Sequence, residues 1–204
     1  MKNKIIAVIG AGGKTTLIHR LAEEYRRKGA SVLVSTTTHM LVEPDTDLSC
    51  DSFAVMEKIK KTGYCMAGSV CPKNSAKMQS LPEQMLHDLM KQVDYALIEA
   101  DGAKHYALKY PSEQEPVIPE GTTDVILVLG SWDLGKPCKD VVFRFEHMTS
   151  ALGISGDMKA DKQMLWWIWQ AYEEKLKNMD YQGHFYVLLS EKTDQGLMFH
   201  TLEE

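Results

Sequence analysis

Apolar positions in this chain alternate between two patterns: short unbroken runs, and stretches in which they recur every three or four residues. Ile5 to Ile9 is an unbroken run. Leu17, Ile18, Leu21, Ala22 and Tyr25 follow at helical spacing, with Glu23, Glu24, Arg26, Arg27 and Lys28 largely outside that stripe. Runs of the first kind read as strands buried on both faces, and stripes of the second kind as amphipathic helices. The pattern predicts a strand over 4–9 and a helix over 14–28 that stops at Gly29, with basic residues in its last turn. It predicts further strands over 31–35, 63–67, 95–98, 123–129 and 185–189. A short helix is expected over 53–61. Another opens at Pro82, with Met85, Leu86, Leu89, Met90 and Val93 as its stripe.

A long helix is expected over 161–179, with Leu165, Ile168, Trp169, Tyr172 and Leu176 on its apolar face. Trp166 and Trp167 point away from that face, so Trp167 is expected to pack against a loop or a partner subunit. Residues 43–51 read as turn-like, the stretch up to Leu81 as irregular, and 141–145 as extended. Three prolines within nine residues make 103–119 a long, stiff loop. Too few residues follow 194 for another helix-plus-strand unit. The alternation of strands and helices predicts one domain over 1–204, a three-layer P-loop NTPase-like α/β fold with a mainly parallel sheet.

The candidate chemistry sits where predicted strands end. Gly10-Ala11-Gly12-Gly13-Lys14-Thr15-Thr16 lies between the first strand and the first helix. That context makes a Gly-Lys-Thr match a phosphate-binding loop: glycines let backbone N–H groups turn inward around an anion, and the helix N-terminus adds its dipole. Lys14 is expected to reach the β/γ-phosphates and the Thr15 hydroxyl to reach Mg²⁺. The longer Walker pattern places Gly six residues before the lysine, where this chain has Val8; what remains is the shorter G-x-x-G-K-T-T.

The second strand ends in Thr36-Thr37-Thr38-His39, at the end of a parallel strand where open α/β sheets bind ligands. Thr37 is a candidate to complete a Mg²⁺ shell. The strand over 95–98 ends in Glu99-Ala100-Asp101-Gly102, in the manner of a Walker-B segment. One carboxylate would hold Mg²⁺, directly or through water, and another would orient the attacking group. Lys14, Glu99 and Asp101 are the candidate catalytic residues, with Thr15, Thr37, Glu99 and Asp101 as candidate metal ligands. Lys104 and Lys109 follow the acidic strand end and are candidates to contact a polyphosphate or an acidic substrate. Ser190-Glu191-Lys192-Thr193-Asp194 stands where many GTPases read guanine with N-K-x-D, but only Lys192 and Asp194 match, so the base stays open between ATP and GTP.

Composition narrows the partners. A net charge of −5 argues against a general nucleic-acid binder, which needs a basic surface. No apolar run approaches the roughly 20 residues needed to cross a bilayer. With the first strand starting at residue 4, no signal peptide is expected, and the reading is cytoplasmic. Cys50, Cys65, Cys71 and Cys138 form no C-x-x-C pair and are expected to be free thiols.

The order of segments — GAGGKTT after a strand, STTTHM, E-A-D-G with K-x(4)-K and EQEPVIP, then VFRFEHM — resembles the YqeC family. The likeness runs over about 4–194 and is most specific from Glu99 to Pro119. It implies a P-loop-like NTP-binding protein in selenium-cofactor biosynthesis, accessory to selenium-dependent molybdenum hydroxylases. In that case Gly10 to Thr16 hold the nucleotide and Glu99 and Asp101 serve Mg²⁺, while Lys104, Lys109 and Glu115 belong to a family-specific surface. The loop and Glu99 alone are also similar to Mur-type amide ligases, whose strand-end Glu binds Mg²⁺. Three functions stay open: a Mg²⁺-dependent NTPase assisting cofactor maturation, an ATP-dependent ligase or kinase acting on a small acid, and a non-catalytic nucleotide-gated chaperone. A molybdenum hydroxylase, a cofactor-maturation protein and a second copy of the chain are the possible protein partners.

Overall fold

The computed structural model describes residues 3–202. They form two compact units. One holds the chain through Val8, Thr15–Gly102 and Val117–Asp124, and the other holds Ile9–Lys14, Ala103–Pro116 and the chain from Val125 on. Both are mixed α/β, and the central sheet is mostly parallel.

The first unit contains β1 (Lys4–Gly10, ending in the second unit), α1 (Lys14–Arg27), β2 (Val32–Thr36), β3 (His39–Leu41) and α2 (Ser52–Thr62). These are followed by β4 (Tyr64–Met66), β5 (Ser69–Val70), β6 (Lys77–Gln79), α3 (Glu83–Lys91) and β7 (Tyr95–Glu99). Its sheet strands lie in the order β1-β7-β2-β4, every pair parallel, with Val8 opposite Glu99 and Thr36 opposite Glu99 on the other side. The continuous apolar runs are buried on both faces, as parallel strands require. Under the sheet, Leu33, Cys65, Ala96 and Ile98 join Val55 and Ile59 of α2 and Leu86, Leu89 and Met90 of α3 in one core cluster. Burying each large aliphatic chain there contributes about 1.5–3 kcal/mol.

Local signals set the helix limits. Asp51 caps α2, its carboxylate accepting from the N–H groups of Phe53 and Ala54, and Gly63 ends the helix at φ 76°. Pro82 precedes the first turn of α3 rather than opening it. The stretch expected to be irregular instead supplies β5 and β6, which pair antiparallel with β3 in a small three-stranded sheet. These strands are two or three residues long, too short to leave a periodic trace.

The second unit contains β8 (Leu108–Lys109), β9 (Asp124–Gly130, starting in the first unit), α4 (Cys138–Val141), β10 (Val142–Phe143), α5 (Phe145–Leu152), α6 (Lys162–Asn178), β11 (His184–Thr193) and β12 (Gly196–Thr201). Its sheet strands lie in the order β12-β11-β9, and β11 and β12 form an antiparallel hairpin. The last strand therefore runs four residues beyond the expected Leu189. The segment compared with a guanine-reading loop lies within that hairpin, with Ser190 paired to Phe199 and Lys192 to Leu197. Residues 141–145, read as extended, divide into the end of α4, the short β10 and the start of α5. The loop over 103–119 is interrupted by β8, which pairs in parallel with β10.

Asp161 caps α6 through the Met164 N–H, and Leu165, Ile168, Tyr172 and Leu176 are buried along it together with Met164. Trp169 and Trp167 are half-buried and Trp166 is exposed. Among the described residues no helix is long and apolar enough to cross a membrane. Cys50 is exposed and Cys65, Cys71 and Cys138 are buried, all as free thiols; burial pushes the Cys65 thiol up to about 11.

One polar clasp ties the start of β2 to the start of β7. The Asp94 carboxylate accepts from the backbone N–H of Ser31 at 2.8 Å and from its hydroxyl at 2.7 Å. Those bonds, the backbone one foremost, hold the carboxyl below the usual carboxylate range. A carboxyl depressed in the folded state stabilises above its unfolded pKa, and the contribution is lost as pH falls through the folded value. Asp94→Ala should therefore lower stability by about 1 kcal/mol near neutral pH, and by progressively less as pH falls below about 4. Denaturant melts at pH 7 and pH 3 check this; an equal loss at both would assign the effect to packing.

Candidate functional site

The loop between β1 and α1 owes its shape to glycine. Gly10, Gly12 and Gly13 have φ of 86°, 85° and 109°, which L side chains rarely adopt. Space forbids a side chain as well: a Cβ on Gly12 would overlap the backbone nitrogen of Gly130 and come within 2.6 Å of its Cα. A Cβ on Gly13 would lie 2.5 Å from Cδ1 of Leu197, on β12.

Within the second unit the loop is held by named bonds. The Ala11 N–H donates to the Val128 carbonyl at 2.9 Å, and the Gly12 N–H donates to the Tyr106 carbonyl at 3.2 Å. The Ser190 hydroxyl donates to the Gly12 carbonyl and, at 3.3 Å, to the Leu129 carbonyl. Lys14 is 5% exposed, and its ammonium donates to the Gly10 carbonyl at 2.8 Å. Ala11 is buried, and Gly13 is half-buried. Two loop amides thus face protein carbonyls. The N–H groups from Gly13 into the first turn of α1 are the ones aligned with the helix dipole.

Within the first unit, Thr15 and Thr16 lie in the first turn of α1, and the Thr15 hydroxyl donates to Oε2 of Glu99 at 2.8 Å. Glu99 is the last residue of β7 and is 7% exposed; Asp101, two residues on, is fully buried. The backbone around Glu99 is fixed on both sides. Its carbonyl accepts from the buried Thr36 hydroxyl at 2.8 Å and from the Thr37 N–H at 3.1 Å. Ala100 donates to Val8 O and accepts from the Val117 N–H. The Thr37 hydroxyl donates to the Val117 carbonyl at 2.8 Å. The threonine run thus braces the acidic strand end, with Thr36 as the buried member. Sequence reading marked the run but singled out Thr37. It did not single out Ser190, which lay in a segment read as a weak base-binding match.

Lys104 and Lys109 belong to another group of side chains, in the second unit. Lys109 is fully buried on β8, and its ammonium lies 2.7 Å from the Glu115 carboxylate, which Arg144 also meets at 2.9 Å. Lys104, Lys109 and Arg144 surround the ring of Phe143 at 5.3, 5.9 and 5.4 Å from its centroid. Lys104, His105 and Arg144 all have positive φ. Lys109 and Arg144 share the Glu115 carboxylate there.

Hard oxygen donors at Thr15 and Glu99 suit Mg²⁺, which in nucleotide sites takes one or two protein ligands and completes its shell with phosphates and water. Among the described residues no group of three or more His, Cys, Asp or Glu side chains is arranged to hold a metal ion.

Residues 6–146 match the family model described as "YqeC protein". The chain is 34% identical over 161 residues to a protein of Escherichia coli (strain K12) named "Uncharacterized protein YqeC". That match covers 75% of this chain and 62% of the relative, so the chain spans less than two thirds of the length of the curated relative. No solved structure matches.

The two reasons for glycine in the loop can be separated. Gly12 and Gly135 have nearly equal φ, 85° and 88°, but a Cβ on Gly135 would meet nothing within 4 Å. Gly135→Ala should cost about 1–2 kcal/mol, from backbone conformation alone. Gly12→Ala should cost roughly 1–3 kcal/mol more, because the Gly130 backbone must shift. Equal losses in denaturant unfolding would show that the loop is not packed against Gly130.

Proposed function

The chain belongs to the YqeC family, and from that premise we propose that it is a Mg²⁺-dependent nucleoside triphosphate-binding protein with a P-loop fold, and that it hydrolyses the nucleotide. The observation that carries the reading is the hydrogen bond from Thr15, at the start of the helix that follows a glycine loop, to Glu99, at the end of the neighbouring strand. A hydroxyl and a carboxylate so placed are the oxygen pair that a magnesium–phosphate group uses in nucleotide-binding loops.

In this reading the amides from Gly13 to Thr16 hold the β- and γ-phosphates, and the Lys14 ammonium moves from the Gly10 carbonyl onto them. Thr15, Glu99 and Asp101 are the residues that would hold Mg²⁺, with Glu99 or Asp101 orienting the attacking water. Bound Mg²⁺ would supply neutralisation of phosphate charge. In this reading catalysis by the chain itself is positioning and electrostatic stabilisation, with the Glu99 backbone held by Thr36. In this proposal, the client reaction is a selenium- or molybdenum-cofactor maturation step of a hydroxylase, as the family resemblance suggests. The acid-binding ligase or kinase is the second reading. It is supported by the grouping of Lys104, Lys109 and Arg144 around Phe143, a chemistry that suits an anionic co-substrate.

A ligand that binds only the folded state at 100 times its Kd stabilises by about 2.7 kcal/mol. Mg²⁺ with ATP or GTP should therefore raise the melting temperature by several degrees, while Lys14→Ala should melt with no nucleotide-dependent shift. An unchanged shift in Lys14→Ala would remove Lys14 from the site. Phosphate release from NTP alone supports the NTPase; release that requires an added small acid supports the second reading.

A further inference from the structure

The segment after β9 carries an aromatic ring that neither the phosphate loop nor the acidic strand end uses. Trp132 lies two residues beyond Gly130, and its ring packs on the backbone there: a Cβ on Gly130 would stand 2.9 Å from Cη2 and Cζ3 of the indole. The phosphate loop is a second neighbour of Gly130, since the Gly130 Cα is 2.6 Å from the Cβ position of Gly12. Ring and loop thus share one strip of side-chain-free backbone.

The strip is tied to the loop by hydrogen bonds. The N–H and hydroxyl of Ser131 both donate to the Ser190 carbonyl, at 2.9 and 3.1 Å, and the Ser190 hydroxyl donates to the Gly12 carbonyl. One face of the indole is covered by the ammonium of Lys192, 4.6 Å from the ring centroid. Lys192 is exposed on β11, and Trp132 is half-buried. The ring is therefore fixed and its cover is mobile by side-chain rotation.

We propose that Trp132 is the platform on which the base of the bound nucleoside triphosphate stacks, with Lys192 moving aside to cover the outer face of the base. This rests on the nucleotide reading above and extends it to a part of the ligand that Lys14, Thr15 and Glu99 do not touch. A flat heteroaromatic base offers the indole a π face to stack against, and the displaced cation gains a second ring to lie against. Stacking tolerates any base because each has a π face. Trp132 then supplies affinity, and ATP and GTP are held alike. That fits a hairpin whose Ser190 and Glu191 depart from the guanine-reading pattern.

The test is isothermal titration of the wild type, Trp132→Ala and Trp132→Phe with Mg²⁺ and ATP, GTP or inorganic tripolyphosphate. Trp132→Ala should weaken nucleotide binding about tenfold, leave tripolyphosphate binding within roughly twofold, and be largely rescued in Trp132→Phe, as loss and restoration of one base–aromatic stack require. Retained tripolyphosphate binding also certifies that the variant is folded. Wild-type nucleotide affinity in Trp132→Ala overturns the proposal, as does an equal loss of tripolyphosphate. A wild type that binds tripolyphosphate as tightly as nucleotide overturns the base platform and leaves the phosphate loop standing. A wild type that binds none of the three overturns the nucleotide reading and this one together. If Trp132→Ala does not fold, fluorescence decides: nucleotide should quench wild-type tryptophan emission, with most of that quench absent in Trp132→Phe, and a full quench in Trp132→Phe overturns the proposal.

Discussion

The hydrogen bond between Thr15 and Glu99 is the contact on which the candidate site depends. It joins the first turn of α1 to the end of β7, elements 84 residues apart in sequence. It exists because β1 and β7 are parallel neighbours, so that the helix leaving one strand starts beside the terminus of the other. The carboxylate is nearly buried, and a buried carboxylate without a donor is costly. The threonine hydroxyl donates to it at 2.8 Å.

In the first unit, polar groups fix the backbone around this contact. Thr36 and Thr37 hold the Glu99 carbonyl, and Val117 continues the same ladder through Ala100. In the second unit, Ser190 and the Val128 and Tyr106 carbonyls do the same for Ala11 and Gly12. Each such bond contributes only about 1 kcal/mol to stability. In each unit they fix the backbone of the segment they touch.

Much of this was legible in the sequence because strong local signals coincide with the site. The run Ile5–Ile9, the glycine loop and the stripe from Leu17 to Tyr25 specify a strand, a turn and a helix without tertiary information, and Glu99 ends an apolar run. What was not legible depends on partners distant in sequence. Val70 and Met78 form strands only through each other and β3. Ser190 to Thr193 carries no apolar pattern, yet continues β11 because β12 pairs with it. The burial of Lys109, a residue type rarely found inside, follows from Glu115 six residues later and from the pairing of β8 with β10. Trp132 drew no notice because one aromatic in a Gly- and Asp-containing loop has no period to betray its role.

The most direct test is a crystal structure of the protein with Mg²⁺ and a non-hydrolysable nucleoside triphosphate. A metal ion between the Thr15 hydroxyl and the Glu99 carboxylate, in place of their hydrogen bond, is expected, with the Lys14 ammonium on the phosphates. A bound nucleotide that leaves the Thr15–Glu99 hydrogen bond and the Lys14–Gly10 contact intact would contradict the assignment.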